Sequence, residues 1–137
     1  MTVPTLRFDA LLLPGIDRAS GHARRWLHDL LGEHPALGDA SLCMCELIAN
    51  ALRYTESGQD GQIQVEVGHS EKVVRVTVID DGGAETVPHL ARVEEMTEGG
   101  RGLIVVAFLA ASWGVERRGE GHAVWFEVHA RAESEAH

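Results

Sequence analysis

The sequence predicts an α+β chain: a two-layer α/β sandwich in which a mixed, mostly antiparallel sheet carries three helices on one face. Three observations predict it. Residues 62–67 and 72–79 alternate apolar and polar side chains with a period of two, and the stretch 68–71 between them suits a hairpin turn. Residues 39–54 and 101–111 are apolar segments of helical length, the first with its polar residues confined to one stripe. The chain has 137 residues, no internal repeat, and only short Gly/Pro/Asp breaks, as one domain over residues 1–137 would have.

Taken in order, residues 6–13 read as a strand closed by Pro14-Gly15, and Asp17 as the N-cap of a helix running to residue 31. A turn over 32–38 leads to Asp39, read as the cap of a second helix that ends near Tyr54. The hairpin strands follow. Residues 80–100 form a long polar stretch without clear periodicity, of the kind that carries function inside a compact domain. An apolar helix over 101–111, a strand over 113–117, a turn over 119–121 and a last strand over 123–130 complete the fold. Residues 131–137 read as a disordered tail.

Composition narrows the function classes. Apolar residues are 45% and charged residues 24%, the balance of an ordinary globular domain. The apolar stretch 103–111 is too short to span a bilayer and no secretory leader opens the chain, so a cytoplasmic location without a membrane partner is expected. A formal charge of −9, with no basic run to offset it, argues against a nucleic-acid partner. Cys43 and Cys45 point in nearly opposite directions on a helix and read as reduced thiols. The eight histidines show no i, i+4 pair, so a metal held by protein ligands alone is not expected.

Three segments could carry chemistry. On the second helix Asp39, Glu46, Asn50 and Arg53 fall within about 60° of one another on an otherwise apolar surface. Such a stripe is either a solvated face or the wall of a polar cleft. In the strand that follows, the period of two puts Asp80 on the same face as Val74, Val76 and Val78, the face assigned to the core. A carboxylate there requires a donor from protein, water or ligand; the alternative is an ordinary turn aspartate before Asp81-Gly82-Gly83. Finally, Gly99-Gly100-Arg101-Gly102-Leu103 runs glycines into a helix start, where free N–H groups and the helix dipole favour an anion. Neither a GxxxxGK[ST] loop nor a GxGxxG turn after a first strand is present.

The order of these segments resembles the GHKL (Bergerat-fold) ATPase superfamily of histidine kinase-like domains, and the resemblance covers nearly the whole chain. Residues 45–54 look like its N-box, residues 78–83 like its first glycine box, and Gly100-Arg101-Gly102-Leu103 like its second. Trp113-Gly114 and residues 121–126 resemble the closing strands of the short anti-sigma-factor kinase branch. The resemblance implies ATP and Mg²⁺ as cofactors. It implies that Asn50 holds the Mg²⁺, that Glu46 is the catalytic base or phosphate-side carboxylate, and that Asp80 accepts a hydrogen bond from the adenine amino group. Gly82, followed by Gly83 in the same box, would let the base approach, Gly100 and Gly102 would offer N–H groups to the phosphates, and Arg101 would help neutralise them. Arg53 and Leu103 belong to the same boxes. Three departures stand out: Tyr54 where the N-box often ends in histidine, Ala84 in place of a glycine, and Ala123 in place of a threonine near the adenine.

The resemblance further implies an anti-sigma-type serine/threonine protein kinase that binds a sigma factor and phosphorylates an anti-anti-sigma (STAS) partner. A non-catalytic ATP-gated interaction switch is the second reading, and an interaction domain with a decayed pocket the third. Relatives of this type are often dimers, which leaves a homodimer open. Arg24, Arg25 and Trp26 on the first helix are either a partner surface or a basic pair beside a core tryptophan.

Overall fold

The computed structural model describes residues 6–54, 61–81, 102–119 and 121–130. In chain order the elements are β1 (Arg7–Pro14), α1 (Ala19–Leu31), α2 (Leu37–Tyr54), β2 (Gln62–His69), β3 (Val73–Ile79), α3 (Gly102–Leu109), β4 (Ser112–Arg118) and β5 (Gly121–His129). The five strands form one sheet in the order β1-β2-β3-β5-β4. All four pairings are antiparallel, which corrects the expectation of a mixed sheet. Neighbouring strands are antiparallel, but β3 and β4, both antiparallel to the β5 strand between them, run parallel to each other, so the chain crosses over from β3 to β4 and β5 fills the gap.

Alternation settles which face is covered. Ile63, Val65 and Val67 of β2, Val74, Val76 and Val78 of β3, and Val124, Phe126 and Val128 of β5 are buried, while the residues between them are more exposed or lie on the other face. The register lines these side chains into rows. Leu11, Val65, Val78, Val124 and Val115 are successive partners across all five strands, and Val67, Val76, Phe126 and Trp113 form the next row. Packed on these rows, α2 contacts both β3 and β5 and also holds α1 and α3. Its buried side chains Ala40, Cys43, Met44, Leu47, Ile48 and Ala51 recur at three- and four-residue spacing, the period that keeps one helix face on the sheet.

Both predicted helix caps are corrected. Asp17 sits inside a turn, because Ala19 N–H donates to the Ile16 carbonyl, and α1 begins after Arg18 with no side-chain cap. The second helix starts before Asp39: Leu37 N–H already donates to His34 and Ala40 N–H to Ala36. His34 supplies the acceptor instead. Its Nδ1 takes the Ala36 N–H at 3.0 Å while Nε2 donates to the Ser70 carbonyl at 2.7 Å, tying the start of α2 to the β2–β3 turn. Asp39 lies in the first turn of α2, where its charge still favours the helix dipole. Strand limits differ from the sequence reading by only a few residues at each end, and β5 begins two residues earlier, at Gly121.

The opposite face of the sheet carries no helix among the described residues. Phe8 lies against Gly68 and Trp125 against Gly114, so that a Cβ at either glycine would meet the ring within 2.8 Å. The Arg75 guanidinium stacks on Trp125 at 4.2 Å, and Arg118 reaches Glu66 at 3.1 Å. No helix among the described residues is long and apolar enough to cross a membrane.

Phe126 is completely buried at the centre of two strand pairings. Phe126→Ala is expected to lower the unfolding free energy by about 3–5 kcal/mol, read from urea denaturation. Cys43 and Cys45 are free, as expected, with Cys43 buried. Burial first, then the charges of Asp39 and Glu46, push the Cys43 thiol up to about 12 from 9.0. Because the thiolate is the nucleophile, iodoacetamide at pH 8 is expected to spare Cys43 until the protein unfolds; native-state alkylation at Cys43, mapped by mass spectrometry, would contradict this burial. The raised value also has a sign for stability. The native thiol keeps its proton where the unfolded one releases it, so this contribution is complete below pH 9 and declines as pH rises from 9 towards 12.

Candidate functional site

The period of β3 carries Asp80 inward, one residue past the strand's end. It is 7% exposed, on the covered side of the sheet as the sequence predicts. The ladder continues through it in an altered form. Asp80 N–H donates to the His122 carbonyl at 2.9 Å, but the return bond goes to the side chain: His122 N–H donates to Asp80 Oδ1 at 3.0 Å. A buried carboxylate that accepts a backbone N–H is held in one orientation, and leaving it without a donor would cost several kcal/mol. Asp81 points the other way, and its Oδ2 accepts the Gln62 N–H at 2.6 Å. The tandem aspartates thus divide the work: one faces the interior, the other pins the strand end to β2.

Gly121 makes this arrangement possible. A Cβ at position 121 would overlap the Asp80 carbonyl oxygen, so only glycine lets β5 approach the end of β3 so closely.

The other predicted residues are placed unequally. Glu46 and Asn50 are half-buried on α2, between the buried positions Leu47, Ile48 and Ala51, and Arg53 is exposed in the last turn. Their stripe therefore lies at the edge of the core. Because α2 packs against β3 and α3, the helix bearing Glu46 and Asn50 contacts both the strand that ends at Asp80 and the helix that starts at Gly102. Leu103 is 2% exposed and anchors the first turn of α3 in the core. Gly82, Gly83, Ala84, Gly100 and Arg101 lie outside the described residues, as do residues 131–137 and the side chain of Tyr54. Among the described residues no group of three or more His, Cys, Asp or Glu side chains could hold a metal ion.

One residue escaped the sequence reading. His122 stands across from Asp80, with its side chain 6% exposed and Nδ1 at 3.5 Å from Asp80 Oδ1. The position singled out as a departure, Ala123, pairs instead with Ile79 on the alternate phase of β5. The neighbour of Asp80 is thus His122, because Val128, Phe126, Val124 and His122 share one phase of a period-two strand. That signal was available in the sequence. It requires continuing the period of two back from Phe126 to His122, one residue before the predicted strand start at 123.

A groove on the helix-free face, bounded by Phe8, Glu66, Arg75 and Trp125, contains none of the predicted site residues. Of the basic pair on α1, Arg24 and Arg25 are exposed, and Trp26 packs against the core, as the second of the two sequence readings has it.

Gly121→Ala is expected to displace the β5 start from Asp80 and to cost about 1–3 kcal/mol in thermal unfolding. An unchanged melting temperature would mean that the strand ends are not in the close contact described.

A family model of the histidine kinase-like ATPase domain matches residues 15–128. No curated protein matches the chain. The fold is similar to a crystal structure of the RsbU and RsbW domains of Rv1364c from Mycobacterium tuberculosis, with a TM-score of 0.64 and 19% identity. The likeness covers 89% of this chain and 31% of the mycobacterial one, so this chain spans about a third of that protein's length. The match extends over most of the sequence: the chain belongs to the histidine kinase-like ATPase family.

Proposed function

We propose that the chain binds Mg-ATP and acts as a serine/threonine protein kinase of the anti-sigma-factor type, with an anti-anti-sigma (STAS) protein as substrate and a sigma factor as a second partner. Asp80 is the observation that carries the nucleotide part of this reading. A buried carboxylate, already oriented by a backbone donor, is suited to accept the exocyclic amine of adenine. Membership of the family supports ATP as the nucleotide. Similarity to a structure containing an RsbW domain supports the anti-sigma branch. The proposal includes a cytoplasmic location.

The donor set on α2 fits a magnesium-bound nucleotide. Asn50 offers an amide oxygen and Glu46 a carboxylate one helical turn away, both partly open to solvent and both hard oxygen donors. When bound, Mg-ATP supplies the phosphoryl group to be transferred. The chain's own residues position and neutralise. Asn50 would hold the metal, Asp80 would read the base, and Gly82, with Gly83 beside it in the same glycine box, would let the base approach. Gly100 and Gly102 would give N–H groups to the phosphates, Arg101 between them would help neutralise the charge, Arg53 in the last turn of α2 would be a further cation, and Leu103 fixes the first turn of α3. Glu46 orients or deprotonates the acceptor serine or threonine hydroxyl, a role worth several orders of magnitude when geometry rather than covalent chemistry dominates.

Incubation with labelled Mg-ATP and candidate STAS proteins tests the reading. The expected result is phosphoserine or phosphothreonine on the partner, falling about 10²–10⁴-fold in Glu46→Ala. Binding without transfer would instead support an ATP-gated interaction switch, and absence of ATP binding would leave only an interaction domain. Competition with GTP should be weak, because its six-position carbonyl offers no hydrogen to Asp80. Equal displacement by ATP and GTP would remove Asp80 from the role of base reader.

A further inference from the structure

His122 is a buried polar side chain with an unmet need. Its ring is enclosed in the covered layer of the sheet, 6% exposed, and its Nδ1 is sealed from solvent with no hydrogen bond. Such a group is costly unless it finds a partner. The acidic group facing it is Asp80, whose Oδ1 lies 3.5 Å from Nδ1. The same oxygen already accepts the backbone N–H of the same residue at 3.0 Å. Backbone and ring of His122 thus converge on one carboxylate oxygen from adjacent directions. A few tenths of an ångström of closure would convert the ring contact into a charge-assisted hydrogen bond.

His69 shows why this pair is unlike an ordinary buried histidine. Its Nε2 is also enclosed without a hydrogen bond, but its carboxylate neighbour, Asp9, is 44% exposed on the edge strand β1 and 3.8 Å away. Both members of the His122–Asp80 pair are buried, at 6% and 5% side-chain exposure.

We infer that His122 is a positioning residue for nucleotide specificity: its Nδ1–H closes on Asp80 Oδ1 when the base is bound and locks the carboxylate in the single orientation that accepts the ligand's amine. This rests on the reading of Asp80 as the adenine acceptor. The device works through geometry. With Oδ1 engaged by two donors of one residue, rotation of the carboxylate is blocked, and its acceptor direction towards the ligand is fixed as the base binds. The ring does not contact the nucleotide. Its effect should therefore appear only for ligands that use Asp80, and not for binding in general.

That selectivity is the test. Affinities for ATP and for purine riboside triphosphate, which lacks the six-amino group, are measured for the wild type, His122→Asn, His122→Gln, His122→Leu and Asp80→Asn, with melting temperatures recorded for each. Asparagine places a donor nitrogen near the position of Nδ1; glutamine carries its nitrogen farther out, near Nε2. The expected result is that His122→Leu loses about tenfold in ATP affinity while purine riboside triphosphate changes little, so that discrimination shrinks by the same factor. His122→Asn should retain discrimination within about threefold of wild type, and His122→Gln should not. If the leucine variant fails to fold, the asparagine and glutamine pair carries the same comparison. Equal losses for both nucleotides in His122→Leu, or equal behaviour of His122→Asn and His122→Gln, overturn the inference. Discrimination lost in Asp80→Asn but kept in His122→Leu overturns it while leaving the Asp80 reading intact. A wild type that does not prefer ATP overturns both.

Discussion

The structure depends on one constraint: the two-residue period of β3 and β5 must present a continuous apolar face to α2. Val74, Val76 and Val78 meet Val128, Phe126 and Val124 as direct partners, and a slip of either strand by one residue would turn its three away from the core. The same phase that buries the valines carries Asp80 and His122 inward at the end of the ladder. The polar pair is thus placed by the hydrophobic effect acting on its neighbours. Its position is as firmly specified as that of Phe126, although its own burial is unfavourable.

From this follows the division between a rigid and a polar end of the molecule. Where the strands are paired, backbone groups satisfy each other and the inward side chains are hydrocarbon. Past Ile79, Asp80 replaces a backbone acceptor with its side chain, Gly121 removes the Cβ that would block the approach, and Asp81 fastens the outgoing chain to Gln62. Three departures from regular sheet structure thus meet where the end of β3 faces the start of β5. Such departures are tolerated where surrounding packing is strong, and they expose or orient groups that a regular ladder would consume. The helix α2 contributes in the complementary way. It is anchored by an apolar face and by His34 at its start, and its few polar residues, Glu46 and Asn50, emerge at the border of the core.

Much of this was legible from residues alone. Period-two alternation located the hairpin and put Asp80 inside, and the helical stripe isolated Glu46 and Asn50. The misreadings have a common physical cause. Asp17 and Asp39 are good caps by composition, yet the backbone turn at Ile16 and the ring of His34 took those roles, because a helix start is satisfied by whichever acceptor the turn brings close. Likewise Ala123 drew notice as a substitution, whereas the neighbour of Asp80 is His122, one residue away and on the other face.

By itself, the sequence determined the α+β class, the inward phase of Asp80 and the order of the chemical segments, because each depends on local periodicity and on spacing along the chain. Tertiary structure alone decided the strand order β1-β2-β3-β5-β4, the wholly antiparallel pairing and the meeting of Asp80 with His122 across 42 residues. Those facts depend on which edge each returning strand joins. That choice is made by the joint burial of five strands beneath α2 and its neighbours, which no short window of sequence contains.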